Sequence, residues 1–420
     1  MQGNKLSFLE ASGGILQDMA SPTEEIKEKL DVAEVLKEYI ELIPAGRNFK
    51  ARCPFHNEKT PSFVVSPDRG SFKCFGCGEG GDIFSFVMKY EHVEFPDALR
   101  MLADKAGVEL KKQNPNEERI SSALYRAHEE AVLFYKEQLK QSKLAQEYLK
   151  ERGITGETAL FFDIGWAPVE RNALALYLRG KGFSAQELVR SGLVLSGNGG
   201  DLYDRFRARV MFPIHSHIGK VIGFTGRIHP DHDTGKLGKY INSPETPIYN
   251  KSKVLYAYAK NKQAIRELGR TVLVEGQVDA VACWQSGIKN VVALSGTALT
   301  EQHVQTLKRS APVLDLAFDK DDAGWQAAER AAHLALQHDL ETNLITWPGE
   351  GDPADLMLED PKLLLEAVQK PVPVITGMAD HLLEEGRITV GAARTALKAI
   401  HHSGTFLPQE EVENRLNKWR

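Results

Sequence analysis

The chain has 420 residues, 42% hydrophobic and 26% charged, with a formal net charge of −5. That length exceeds one ordinary core and predicts two or three domains of a globular protein. It contains no run of about 18 apolar residues that could span a bilayer, and the first 20 residues, with Glu10 and Asp18 in a weak apolar pattern, lack a secretory core, so a cytoplasmic location is expected.

Four cysteines in such a chain argue against a disulfide framework and leave metal binding as the better use of any cluster. The negative net charge averages unlike parts. From Asp201 to Lys260 ten Lys or Arg stand against five Asp or Glu, and from Arg47 to Tyr90 seven stand against four. Basic stretches in an otherwise acidic chain point to a polyanionic partner.

In chain order, Ser21 to Glu24 reads as a capping box, followed by helical apolar spacing at Ile26, Leu30, Val32, Val35 and Leu36. SFVVS and SFKCF read as short strands, and the stretch from Gly81 as a helix, a break at Pro96 and a second helix. Lys111 to Arg119 is polar, holds Asn and Pro and lacks an apolar period, which predicts a linker over 111–120. Helices then dominate to about Arg152, followed by mixed sequence with strands at RVMFPIHS and KVIGFTGRI. Beyond Lys260, strands alternate regularly with helices, the pattern of a parallel sheet. From about Pro371 the chain reads as helices only.

Cys53 and His56, then Cys74 and Cys77, form two pairs with two residues inside each and 17 between them. Each pair in a tight turn aims both ligands at one ion, and two pairs complete a tetrahedron. Zn²⁺ suits the mixed thiolate and imidazole set, and four protein ligands leave no open position, so the site is expected to be structural. Around it Phe55, Phe63, Phe72 and Phe75 alternate with Lys50, Arg52, Lys59, Arg69 and Lys73. Rings with cations grip single-stranded nucleic acid, although some rings are needed for the module's own core. Cys283, on an apolar helix face, reads as core filling.

VLVEG ends a strand at Glu275, and LAFDKDDAG ends another with Asp319 and Asp321. Such positions project from the carboxyl edge of a parallel sheet, where open α/β folds place ligands. Carboxylates gathered there repel one another unless a cation sits between them, and hard oxygen ligands favour Mg²⁺. Asp279 and Asp352 are further candidates, whereas Asp322 and Asp355 read as helix caps or turn residues.

VEGQVDAV, ALSGTALT, DKDDAG and GDPADLM, in that order, resemble the TOPRIM fold of primases, topoisomerases and some nucleases. With the upstream zinc pairs, DRFRARVMFPI, GKVIGFTGR and KYINSPETPIYNK, the chain resembles the bacterial DnaG-type primases from about Ser21 onward. The resemblance implies a multidomain α/β chain. An unassigned extension covers 1–20, and a zinc-ribbon-like template-recognition module covers 21–110. An RNA polymerase domain covers 121–370, with a TOPRIM subdomain at about 268–357, and a helical tail covers 371–420.

It further implies RNA primer synthesis on single-stranded DNA from ribonucleoside triphosphates, with the replicative helicase as a family partner. Glu275, Asp319 and Asp321 are implied to hold two Mg²⁺ or Mn²⁺ ions, with Asp279 and Asp352 in support. Arg152, Arg205, Arg207, Arg227, Lys239, Asn242 and Lys251 are implied to contact nucleic acid or nucleotide.

The sequence departs from the family pattern in two places. Lys320 stands between the two aspartates, where an ion pair with a metal ligand is expected, and Ala354 stands where a second carboxylate is usual. The family's C-terminal helicase-binding domain has no counterpart in the residues given. Two alternatives stand beside primer synthesis: another TOPRIM enzyme such as a nuclease, and a zinc-dependent single-stranded DNA-binding protein with an inactive centre.

Overall fold

The computed structural model describes residues 22–56, 58–91, 93, 95–108, 110, 115–236, 238–349, 351–402 and 409–419, in two compact units, Met1–Gln113 and Asn114–Arg420. The expected Ser21 cap, the extension 1–20 and residues 111–114 of the expected linker lie outside them. Among the described residues no helix is long and apolar enough to cross a membrane.

In the first unit the opening helical stretch divides at an aspartate. Helix Pro22–Lys29 ends, Asp31 takes extended backbone and accepts the amides of Ala33 (2.8 Å) and Glu34 (3.1 Å), and helix Val32–Lys37 begins. The apolar spacing ran through this break because both helices bury residues in one core, including Ile26, Val32, Val35 and Leu36. Five antiparallel strands follow, neighbour to neighbour in chain order: Ile43–Ala45, Asn48–Ala51, Phe63–Ser66, Ser71–Cys74 and Gly80–Gly81. Alternation along Phe63–Ser66 buries Phe63 and Val65 and turns Val64 and Ser66 outward. Helices Ile83–Glu91 and Phe95–Ala106 complete this unit. The break falls before Pro96, not at it, because a proline in the first turn gives up no helical hydrogen bond.

The second unit begins with helix Pro115–Gln141, which starts inside the expected linker; proline suits a first helical position. It crosses a four-stranded antiparallel sheet ordered Tyr240–Asn242, Val221–Ile228, Arg209–His215, Gly165–Ala167. Every residue of Val221–Ile228 is buried, so this strand is covered on both faces.

A second sheet has the order Val291–Ala293, Arg270–Val274, Val313–Leu316, Glu341–Leu344, Val372–Pro373. The first four strands are parallel, as the βαβ pattern predicted. The fifth pairs antiparallel with Glu341–Leu344, which corrects the helices-only reading of the tail. Two residues give no periodicity to detect, and the pairing is fixed from outside the segment. Asp315, on the central strand and fully buried, accepts both Arg270 Nε and Nη2 at 2.7 Å and Asn343 Nδ2 at 3.0 Å, tying three strands together.

Replacing Arg270 by Leu leaves that buried carboxylate without its cation. We expect destabilisation of roughly 3 kcal/mol, read as a fall in the denaturant midpoint at unchanged slope.

Candidate metal centres and nucleic-acid interface

In the first unit, Cys53, His56, Cys74 and Cys77 bring their ligand atoms within 4.8 Å of one another. Cys53 Sγ lies 3.8 Å from Cys77 Sγ, and Cys74 Sγ lies 3.8 Å from His56 Nδ1. These separations are too long for a disulfide of about 2.05 Å, and close to a tetrahedron edge for Zn–S bonds of about 2.3 Å. The donor set and its geometry fit one Zn²⁺.

Glu58 escaped the sequence reading. Its carboxylate accepts the Cys53 amide (2.6 Å), the Ser62 amide (3.1 Å) and the Ser62 hydroxyl (2.5 Å), and sits 3.4 Å from His56 Nε2. With Nε2 turned to Glu58, His56 is left to ligate through Nδ1. The signal was present as an acid two residues after a ligand histidine, but only the fold shows which way it points. At Gly76 an added Cβ would stand 2.6 Å from His56 Nε2, so this knuckle needs a glycine.

Of the four interleaved rings, Phe63 and Phe72 are buried and stacked at 4.9 Å, and Phe55 packs against both. Phe75 alone of these is open, at 75% exposure. The cations Lys50, Arg52, Lys59, Arg69 and Lys73 are exposed.

In the second unit, five carboxylates collect outside the carboxyl ends of the parallel strands. Glu275 directly follows strand Arg270–Val274, and its Oε1 accepts the Asp319 amide at 3.2 Å. Strand Val313–Leu316 stops three residues short of Asp319, but pairing continues, for Ala317 N–H donates to the Leu273 carbonyl at 2.9 Å. Asp321 caps helix Asp322–Gln337 by accepting Gly324 N–H (2.7 Å), and Asp352 caps helix Pro353–Glu359 by accepting Asp355 N–H (2.9 Å). The caps are thus Asp321 and Asp352, while Asp322 and Asp355 lie in the first turns of these helices. An added Cβ at Gly324 would come 2.2 Å from the Asp319 carbonyl oxygen and 3.0 Å from Glu275 Oε1, so only glycine lets the two loops close.

Electrostatics report the same convergence. Burial, then the charges of Asp352 and Asp319, push the Asp279 carboxyl up to about 7. Burial, then Glu275, Asp352 and Asp321, push Asp319 up to about 6. This is the behaviour of a hard-oxygen set that suits a divalent cation. Lys320 does not pair with a ligand as expected; its ammonium donates to the Gly349 carbonyl.

Two expected cations stand beside the acids. Arg152 and Arg227 lie over the Tyr148 ring at 5.7 and 5.6 Å, and Arg227 also over Tyr240 at 5.4 Å. Tyr240, raised to about 12 by burial, feels Arg227, Asp279, Tyr148 and Arg152 together, which links the basic strand to the carboxylates. Lys239 is exposed beside it, while Lys251 lies in the turn Lys251–Lys253 with its carbonyl 3.1 Å from His303 Nε2. Arg205 and Arg207 instead brace backbone, donating to the carbonyls of Gly192 (2.9 Å) and Asp204 (2.7 Å). Asn242 has both amide atoms committed within the fold, to Thr225 and to the Ser295 carbonyl. Cys283 is fully buried, as a core residue.

Two outcomes test these sites. Glu58→Gln should weaken zinc affinity by about 10- to 100-fold in a chelator competition while Cys53, His56, Cys74 and Cys77 remain intact. An aspartate ionises near 3.9 when unfolded. Because folding raises Asp279 to about 7, the metal-free protein loses stability as pH rises from about 4 through 7. Asp279→Asn, which keeps an acceptor for Gly276 N–H, should flatten that decline in a thermal melt series.

Comparison with known proteins agrees with this geometry. A family model described as a CHC2 zinc finger matches residues 19–118, the N-terminal domain of the DNA primase catalytic core matches 134–262, and a Toprim-like model matches 272–357. The DNA primase of Pseudomonas aeruginosa is 40% identical over 351 residues, covering 80% of this chain and 52% of that protein. That of Listeria monocytogenes is 33% identical over 378 residues, covering 87% and 60%. The chain therefore spans little more than half the length of these curated relatives. A solved structure of the zinc-binding and RNA polymerase domains of the Aquifex aeolicus primase is 33% identical, with a TM-score of 0.59 over 94% of this chain and 99% of that one. The DnaG primase catalytic domain solved bound to single-stranded DNA is 29% identical, with a TM-score of 0.60 over 71% and 98%. With zinc finger, catalytic core and Toprim region matched in order, and a solved two-domain primase chain matched over nearly all of its length, the chain belongs to the DnaG family of bacterial DNA primases.

Proposed function

We propose that the chain is a nucleotidyltransferase, a DNA-directed RNA polymerase that builds short RNA primers on single-stranded DNA from ribonucleoside triphosphates. One observation carries the reading: Glu275 accepts the Asp319 amide at 3.2 Å, Asp321 and Asp352 cap the helices that follow the neighbouring strands, and Arg152 and Arg227 pack over the rings of Tyr148 and Tyr240 beside Asp279. The names of the relatives support it, as does the single-stranded DNA bound to a similar catalytic domain.

Two divalent ions, Mg²⁺ or Mn²⁺, supply activation of the attacking 3′-hydroxyl and neutralisation of the triphosphate and leaving pyrophosphate in such chemistry. Glu275, Asp319 and Asp321 are the residues that would hold them, with Asp279 and Asp352 in support. Arg152, Arg227, Lys239 and Lys251 offer cations to template, primer or triphosphate. Arg205 and Arg207 brace the backbone at Gly192 and Asp204 and keep guanidinium nitrogens for phosphate. Positioning and charge complementarity supply most of the acceleration, and no side chain need become covalently attached.

Residues 21–110 serve as the template-recognition module, with Phe75 and the cations around it as the contact surface. The polymerase domain runs from helix Pro115–Gln141 through strand Val372–Pro373, and the helices that follow form its tail. The setting is the cytoplasm at replication forks, with the replicative helicase as partner.

Labelled oligoribonucleotide synthesis on single-stranded DNA, with Mg²⁺ or Mn²⁺ added, tests the reading. Asp319→Ala should lower product on the order of 100-fold or more with DNA affinity retained. Undiminished product would remove Asp319 from the centre. A wild-type chain that binds DNA and makes no RNA would favour the inactive binding protein, and cleavage of the DNA would favour the nuclease.

A further inference from the structure

Arg227 and Lys239 belong to the antiparallel sheet and its hairpin, the carboxylates to the edge of the parallel sheet. Cations and acids can act on one phosphate chain only if the spacing between the two sheets is fixed. A closed run of polar groups crosses that junction. Gln277, the first residue of the helix after Glu275, donates Nε2–H to Thr225 Oγ1 at 2.8 Å. Thr225 donates its hydroxyl to Asn242 Oδ1 at 2.5 Å, and Asn242 donates Nδ2–H to the Ser295 carbonyl at 2.9 Å. Ser295 N–H then donates to the Glu275 carbonyl at 3.2 Å. The run starts and ends at the loop that carries Glu275.

Several features set it apart from incidental surface bonding. Gln277 is 4% exposed and Thr225 1%, so neither can reach a nucleotide held in solvent-filled space. The Thr225 hydroxyl both accepts and donates, which gives the run a single direction and makes each bond depend on the next. Ser295 holds φ at +64°, a left-handed conformation that non-glycine residues seldom adopt unless their surroundings impose it. Thr225 and Arg227 lie on one strand two residues apart, so their side chains share a face, and Asn242 pairs directly with Thr225 across the hairpin while Tyr240 pairs with Arg227. Fixing Thr225 and Asn242 therefore fixes the register of Arg227 and Tyr240 against Asp279.

We propose that Gln277, Thr225 and Asn242 are positioning residues that lock the basic hairpin to the Glu275 loop, and that Asn242 acts through this lock and not as a nucleotide ligand. The activity readout rests on the primer-synthesis reading; the structural readout does not.

The experiment compares Thr225→Val, Gln277→Leu, Thr225→Ser and Asn242→Ala in the whole chain. Steady-state primer synthesis gives kcat and KM for ribonucleoside triphosphates, and amide hydrogen exchange is followed over residues 240–242 and 294–297. Thr225→Val and Gln277→Leu should each lower kcat on the order of ten-fold with KM changed less than about two-fold. Their double variant should be little worse than either alone, because both cut one run. Thr225→Ser should restore most of the rate, and exchange at 240–242 and 294–297 should quicken in the Val and Leu variants while the rest of the unit keeps its protection. Gln277→Leu makes the same cut from another element should Thr225→Val not fold. The proposal is overturned if Asn242→Ala raises KM while Thr225→Val and Gln277→Leu keep kcat, or if exchange across the junction is unchanged. Should the unaltered chain make no RNA, the proposed function falls alone, and the exchange comparison still decides for or against the lock.

Discussion

Mutual repulsion among carboxylates is the constraint around which the second unit is organised. Left to themselves, acids as close as Asp279, Asp319 and their neighbours would separate into water. Here four of the five are anchored by something other than charge: Glu275 by the Asp319 amide, Asp279 by Gly276, Asp321 by Gly324 and Asp352 by Asp355. The anchors are all backbone N–H groups, which accept no substitution and lose no side-chain entropy on ordering. The parallel sheet beneath, cross-tied through Asp315, provides the rigid floor from which these loops rise.

The zinc-binding unit solves a similar problem differently. Its sheet is small, its strands are two to four residues long, and its core leans on clustered rings from Phe55, Phe63, Phe72 and Phe86. Such a unit gains much from a metal cross-link. Glu58 ties the first knuckle to Ser62, holding the Cys53 amide, the Ser62 hydroxyl and the His56 ring with one carboxylate, and Ser62 in turn lies 3.2 Å from Cys74 Sγ of the second.

Much of this was legible in the sequence, and the reasons differ by element. The βαβ alternation after Lys260 was readable because buried parallel strands are near-continuous apolar runs, and the zinc ligands because metal geometry dictates their spacing. The short strand Val372–Pro373 was not, since two residues carry no period. Asn242 was placed among ligands on resemblance alone; its bonds to Thr225 and Ser295 join residues 17 and 53 positions away, which no local pattern encodes. Lys320 was expected to trouble the aspartates beside it, yet the loop turns its long side chain toward Gly349. Arg209 went unnoticed for the same reason, although it is buried and binds the carbonyls of Gly226, Gly238 and Lys239.

The caps at Asp321 and Asp352 have a consequence for how this rim is built. In each, Oδ1 accepts an amide of the helix's first turn, which fixes the plane of the carboxyl group and hence the direction of its second oxygen. Two acids of the rim are thereby aimed by the first turns of two helices, and neither aim depends on a neighbouring side chain.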